Sequence, residues 1–192
     1  LGDCAYFRSD YTELGNGYLR EKALDDRIGC AIMVDILNKD LPYDVTCVFT
    51  VQEEIGTRGA KVAAYTVKPD YAIVLETTTA CDFSGNDGEK RVCELGKGCV
   101  VSYMDRSTIY DRELYRLGFE KAKEIGVPCQ TKTLVAGGND SGAIHSSVGG
   151  IRTVALSVPC RYLHSPSCMI KKSDVQSTAE LAYAMYLALA EK

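Results

Sequence analysis

The sequence predicts an α/β protein with three layers, in which a mostly parallel sheet is flanked by helices. Three observations carry this reading. Near-continuous apolar and β-branched runs of strand length recur along the chain, the pattern of strands buried on both faces. Stretches with helical spacing alternate with them, as parallel connections require. The 192 residues, 46% of them hydrophobic, suffice for one domain with a substantial core.

Each element has its own signal. Residues 3–13 read as short strands, Cys4 to Phe7 and then Glu13-Leu14, followed by a turn over Leu14-Gly15-Asn16-Gly17-Tyr18 where Gly and Asn accept positive φ. After a strand-like 19–23 stretch, Asp25 or Asp26 caps a helix with Ile28, Ile32 and Ile36 on one face, ending near Asn38. Val45 to Val51 is predicted as a doubly buried strand, Gln52 to Gly56 as a loop, and 58–67 as a helix stopped by Lys68-Pro69-Asp70. Tyr71 to Leu75 makes a second buried strand ending at Glu76, and residues 77–98 a long Gly-, Asp-, Thr- and Ser-rich loop. A strand over 100–103, an amphipathic helix over 110–125, a strand over 131–135 and a turn over 136–140 follow. Ile151 to Val158 is the third strong strand, broken by Pro159, and Ser173-Asp174 caps a closing helix that runs to about Ala190. Residues 1–20 differ in character and are read as a separate β-rich remnant; residues 21–192 carry no linker or repeat and are read as one domain.

Composition excludes several classes. With 22 basic against 26 acidic residues, the net charge of −4 and the lack of a basic block argue against nucleic acid or anionic lipid as partner. No apolar run approaches the ~18–20 residues of a membrane span. Nine cysteines, an odd number without C-x-x-C spacing, read as reduced thiols of a cytoplasmic protein, with Cys30 and Cys47 packing as small hydrophobes. The chain opens on Leu-Gly-Asp without a methionine, which predicts that its natural N-terminus lies further upstream.

Ligands of open α/β sheets bind beyond the carboxyl ends of the strands. Glu53 and Glu54 follow one predicted strand, Glu76 another, and His164 the third, while Asp25 and Asp26 open a helix. Taken singly, each has a plain structural role: loop glutamates in solvent, helix-capping aspartates, a hydrogen-bonded histidine, the last also being the reading for His145. Jointly, at one sheet edge, they form an oxygen and imidazole donor set suited to Zn²⁺, Co²⁺ or Mn²⁺. A metal lowers the pKa of its water to about 7, and a carboxylate that is not a ligand can carry the proton to a leaving amine. That chemistry hydrolyses amides.

Three segments, Ala23-Leu24-Asp25-Asp26-Arg27-Ile28-Gly29-Cys30, Val51-Gln52-Glu53-Glu54-Ile55-Gly56-Thr57-Arg58-Gly59-Ala60 and Val158-Pro159-Cys160-Arg161-Tyr162-Leu163-His164-Ser165-Pro166, resemble the dinuclear-metal aminopeptidases. These are the tetrahedral, glutamyl or deblocking aminopeptidases, some named cellulase M or endoglucanase M. The resemblance implies a zinc-aminopeptidase-like fold, peptide substrates and a homo-oligomer. It implies that Asp25 bridges two divalent ions, that Glu54 and His164 ligate one of them, and that Glu53 is the general base. Glu76 stands where the family usually has an aspartate on the other ion, Asp26 serves the helix start, and Gly137-Gly138-Asn139-Asp140 matches a loop beside the substrate.

The family also has a histidine ligand in an N-terminal His-x-Asp segment and a β-rich dimerisation insert. Against that pattern, residues 1–20 read as the last strands of the insert and residues 21–192 as a catalytic domain lacking its first segment. One well-held ion, and weak activity or none for this chain alone, are therefore expected. Two other readings are a metal-independent endoglucanase-type glycoside hydrolase and an inactive truncated assembly module. Adjacent glutamates and the absence of tryptophan speak against the first.

Overall fold

The structure, a computed structural model, describes residues 1–192 apart from the side chain of Glu89. Two sheets organise it. A small antiparallel sheet contains β1 (Thr12–Leu14), β2 (Tyr18–Glu21) and β7 (Cys168–Lys171), in that order. The larger one has the order β3-β6-β4-β5, formed by β3 (Tyr71–Thr79), β6 (Arg152–Cys160), β4 (Cys99–Val101) and β5 (Cys129–Thr131). Its β3–β6 and β4–β5 pairs are parallel, and the central β4–β6 pair is antiparallel, so the sheet is mixed.

Alternation along β6 separates the two layers that cover it. Val154, Leu156, Val158 and Cys160 join Leu24, Ile32 and Ile36 of α1 (Leu24–Leu37), Leu114 of α3 (Arg112–Ile125) and Leu181 and Met185 of α5 (Lys172–Ala190) in the main core. Ala155 points the other way, onto Ile144 of the short α4 (Ser141–Ile144), on which α2 (Arg58–Val67) packs. Helices thus lie on both faces of the sheet. The amphipathic α3 is capped by Asp111, which accepts from the N–H groups of Glu113 and Leu114 at 2.9 and 3.0 Å. Gly126, at φ 75°, ends it in the left-handed conformation that a residue without Cβ adopts most readily.

Most elements fall where the sequence places them, and the departures have physical reasons. Residues 4–7 form no strand and are exposed. Val45 to Val51 is not a buried strand: it lies outside both sheets, with Val45 41%, Phe49 46% and Val51 66% exposed. A strand needs a neighbour to complete its ladder, and among the described residues none runs beside it. β3 continues through Thr77–Thr79, because these β-branched residues pair with Val158–Cys160, so the predicted loop begins only at Ala80. Pro159 sits inside β6, past the part paired with β4, where a free edge tolerates a residue without an N–H.

Other differences are smaller. β4 and β5 begin before their predicted positions, and β7 and α4 had no sequence signal strong enough to announce them. Cys30 is exposed on α1 rather than packed, and all nine cysteines are free thiols. Asp174 does not cap α5; its carboxylate accepts from the backbone N–H groups of Gly96 and Gly98 at 2.6 and 2.9 Å, fastening the long loop to the helix. Among the described residues, no helix is long and apolar enough to cross a membrane.

Candidate metal centre

Four pieces of chain converge at one end of the large sheet. Asp25 stands at the start of α1, directly after β2; Glu53 and Glu54 lie on the turn before α2; Glu76 is inside β3; His164 is on the turn between β6 and β7. Left-handed backbone marks every turn that delivers them. Ala23 (φ 55°), Gln52 (φ 61°), Thr57 (φ 51°), Tyr162 (φ 58°) and His164 (φ 60°) all occupy a region that costs a residue with a Cβ on the order of 1 kcal/mol. Such positions survive where surrounding structure holds them and tend to gather at functional sites.

Two glycines make the turns possible. A Cβ on Gly29 would collide with the Asp26 carboxylate, which accepts from the Gly29 N–H at 3.0 Å. Asp26 therefore caps the first regular turn of α1, as the sequence predicts; the Asp25–Asp26 bond itself is cis. At Gly59 a Cβ would meet the Val51 carbonyl oxygen at 2.5 Å, so only glycine lets α2 start this close to the chain that precedes Glu53. The Glu53 carbonyl closes the turn by accepting from the N–H groups of Gly56 (3.0 Å) and Thr57 (2.9 Å).

The side chains meet in two overlapping groups. Asp25, Glu54 and His164 each offer one ligand atom within 4.8 Å of the others. His164 Nε2 lies 3.1 Å from Asp25 Oδ2 and 3.4 Å from Glu54 Oε2. Asp25, Asp26 and Glu76 form the second group, so Asp25 belongs to both. The Asp25 side chain is only 11% exposed, whereas Glu54 and His164 are 58% and 63% exposed. A buried carboxylate thus anchors the centre and two accessible groups reach over it. Glu53 stays outside both groups, on the wall of a cleft of about 810 Å³ that also exposes Asp25, Glu54, Glu76 and His164.

Electrostatics show what this arrangement favours. Burial, together with the charges of Asp26 and Asp25, pushes Glu76 up to about 10. Burial and the neighbouring Asp25 charge push Asp26 up to about 8 against the Gly29 N–H, and burial with the Asp140 and Glu54 charges pushes Glu53 up to about 7. Carboxylates crowded this way take up protons unless a cation neutralises them. Carboxylate oxygens and one imidazole nitrogen are the donor chemistry of Zn²⁺, Co²⁺ and Mn²⁺ sites, and the first group has the three protein ligands of an open catalytic site. The residues present fit such an ion.

Two residues take a larger part here than the sequence assigned them. Asp26, assigned only to the helix start, also joins the second carboxylate group. Asp140 accepts from the Thr50 hydroxyl at 2.6 Å, leaves its other oxygen buried without a partner, and acts on Glu53 through space. Its place directly after Gly137-Gly138-Asn139 was the available signal. His145 lies apart and turns Nδ1 to the Ser141 carbonyl at 2.8 Å, the structural role read from the sequence.

The class these features define is a helix-flanked α/β protein with a candidate metal centre of overlapping carboxylate and imidazole groups at one sheet end. The chain belongs to the M42 glutamyl aminopeptidase family, which matches residues 1–181. A protein of Acetivibrio thermocellus named as an aminopeptidase is 40% identical over 185 residues, 94% of this chain and 54% of that protein. The lysyl aminopeptidase of Pyrococcus furiosus is 33% identical over 188 residues, 96% of this chain and 53% of its own length. Among solved structures, the Pyrococcus horikoshii TET1 peptidase, which assembles into a tetrahedron or a large octahedral shell, superposes with a TM-score of 0.80 at 31% identity, over 94% of this chain and 53% of its own. The chain thus spans about half the length of the relatives it matches.

Proposed function

We propose that this chain supplies the catalytic half of a metal-dependent aminopeptidase, which removes N-terminal residues from peptides. The observation that carries the reading is the meeting of Asp25, Glu54 and His164 beside Glu53 in one cleft. Asp25, Glu54 and His164 would hold one divalent ion, and Asp25 with Glu76 would approach a second. Asp26 stands in that second group too, with one carboxylate oxygen accepting from the Gly29 N–H. When bound, such an ion polarises the scissile carbonyl and acidifies water at neutral pH.

The protein's own part is proton handling. Glu53 adjoins the centre without joining either ligand group, and its raised pKa suits a group that takes a proton at one moment and donates it to the leaving amine at the next. Asp140 supports that raised affinity by repulsion. The second group offers carboxylates alone, one of them bonded to Gly29, so one tight ion, on Asp25, Glu54 and His164, is expected of these residues. Peptide substrate, a cytoplasmic setting and a homo-oligomer belong to the same reading, the last supported by the assembly of the TET relative.

Metal content and hydrolysis of aminoacyl-p-nitroanilides, before and after adding Co²⁺ or Zn²⁺, test it. Metal-dependent turnover that EDTA abolishes and Glu53→Gln cuts by about 10²–10⁴-fold supports the reading. Turnover that survives EDTA sinks it, and two tight zinc sites by calorimetry overturn the one-ion expectation.

A further inference from the structure

A pair of thiols closes the turn that carries His164. Cys160 ends β6 and Cys168 begins β7. Between these strands the Arg161 and Met169 backbone N–H groups each donate to the other's carbonyl, at 2.9 and 3.0 Å. Cys160 and Cys168 each precede one member of that antiparallel pair, so alternation puts both side chains on one face. Their thiols hydrogen-bond each other, which pushes Cys160 above the ordinary thiol value and pulls Cys168 below it. Cys168 also lines a cavity of about 310 Å³ with Asp25, Glu54 and His164, while Cys160 is completely buried. The Cys168 thiol further donates to the Tyr162 and Ser165 carbonyls, each at 3.5 Å. Those carbonyls flank His164, so the reduced thiol fastens the backbone on both sides of it.

We propose that Cys160 and Cys168 are a peroxide-reactive pair that closes to a disulfide across the base of the His164 turn and thereby loosens the divalent ion. The loosening rests on the reading of Asp25, Glu54 and His164 as ligands; the disulfide does not. Sulfurs in hydrogen-bond contact on paired strands need little more than side-chain rotation to join, since a disulfide spans Cα atoms about 4.4–6.8 Å apart. Cys168, which reaches the cavity, attacks first. Its sulfur takes one oxygen of hydrogen peroxide, the O–O bond breaks, and the departing hydroxide leaves as water with the thiol proton. The Cys160 sulfur then attacks the Cys168 sulfenic acid: the S–S bond forms, the S–O bond breaks, and a second water departs with the Cys160 proton. Two thiols give up two electrons, and one peroxide becomes two waters. The S–H shared by the Tyr162 and Ser165 carbonyls is gone, so the turn loses its tether beside His164.

The test treats the reduced, metal-free protein with hydrogen peroxide, alkylates the remaining thiols under denaturing conditions and maps the peptides by mass spectrometry. Zinc affinity is measured by calorimetry before oxidation, after it, and after reduction with a phosphine that is then removed. The expected result is a Cys160–Cys168 crosslink that forms before any other and that the phosphine reverses. Zinc affinity falls about 10–100-fold on oxidation, as when a partner that orients a metal ligand is lost, and returns on reduction. In Cys160→Ala the sulfenic acid stays on Cys168 and is captured by dimedone, and zinc affinity of the reduced variant stays near wild type. Cys99 and Cys129 stand opposite each other in the β4–β5 pair and are the competing couple. A crosslink between those two in place of Cys160–Cys168, or recovery of Cys160 and Cys168 as alkylated thiols, overturns the proposal. A Cys160–Cys168 crosslink that leaves zinc affinity unchanged overturns the effect on the ion. If the reduced protein binds no zinc, the metal reading fails by itself, and the peptide map still decides for the thiol pair.

Discussion

β6 and the Val45–Val51 segment are written in the same alphabet, apolar and β-branched, yet meet opposite fates. In β6, Val154, Ala155, Leu156 and Val158 are completely buried between β3, β4 and two helical layers. In the other segment Val45, Phe49 and Val51 stand in the open. The contrast teaches that a strand is a relation between segments. Apolar patterning shows which residues gain from burial, and only a neighbour with free N–H and C=O groups turns that gain into a strand.

The comparison can be broken by substitution. Leu156→Ala should cost about 2–5 kcal/mol in urea unfolding, because a packed core closes poorly around the cavity. Val48→Ala, at a site 36% exposed, should change stability by no more than about 0.5 kcal/mol. Similar losses at both positions would mean that the 45–51 segment is covered in solution.

A pH series sharpens the difference between the metal end and the core. Glu53, Asp26 and Glu76 have folded pKa values near 7, 8 and 10, above their ordinary values of 4.5, 3.8 and 4.5, so the metal-free fold binds more protons than the unfolded chain between those limits. Stability is then full near pH 4 and is lost as pH rises through 7 and beyond. The EDTA-treated protein should melt at least about 4 °C lower at pH 8 than at pH 5.5, the equivalent of 1–2 kcal/mol. Zn²⁺ should remove most of that fall; a flat profile would show that the carboxylates do not crowd one another.

The smallest expected effect concerns helix starts. Asp111 caps α3 and receives Arg152 Nε at 2.6 Å, which ties the helix to the first residue of β6. Asp111→Ala should cost about 0.5–2 kcal/mol. Thr57, before α2, makes no side-chain cap bond, and Thr57→Ala should stay within about 0.5 kcal/mol. Urea midpoints of the two variants check the order.

The sequence by itself determined the four long helices, the turn at Gly15-Asn16-Gly17 and the strand stretches Tyr71–Leu75 and Arg152–Val158, because periodicity, caps and breakers act over a few neighbouring residues. It also brought forward Asp25, Glu53, Glu54, Glu76 and His164, since acids and a histidine beside strand ends are legible one motif at a time. Tertiary structure alone decided the rest. Among the described residues it left Val45–Val51 without a partner, turned the Asp174 carboxylate to Gly96 and Gly98, and brought the Asp140 charge to bear on Glu53. Each of those outcomes depends on which distant segments become neighbours, and local patterning does not contain that information.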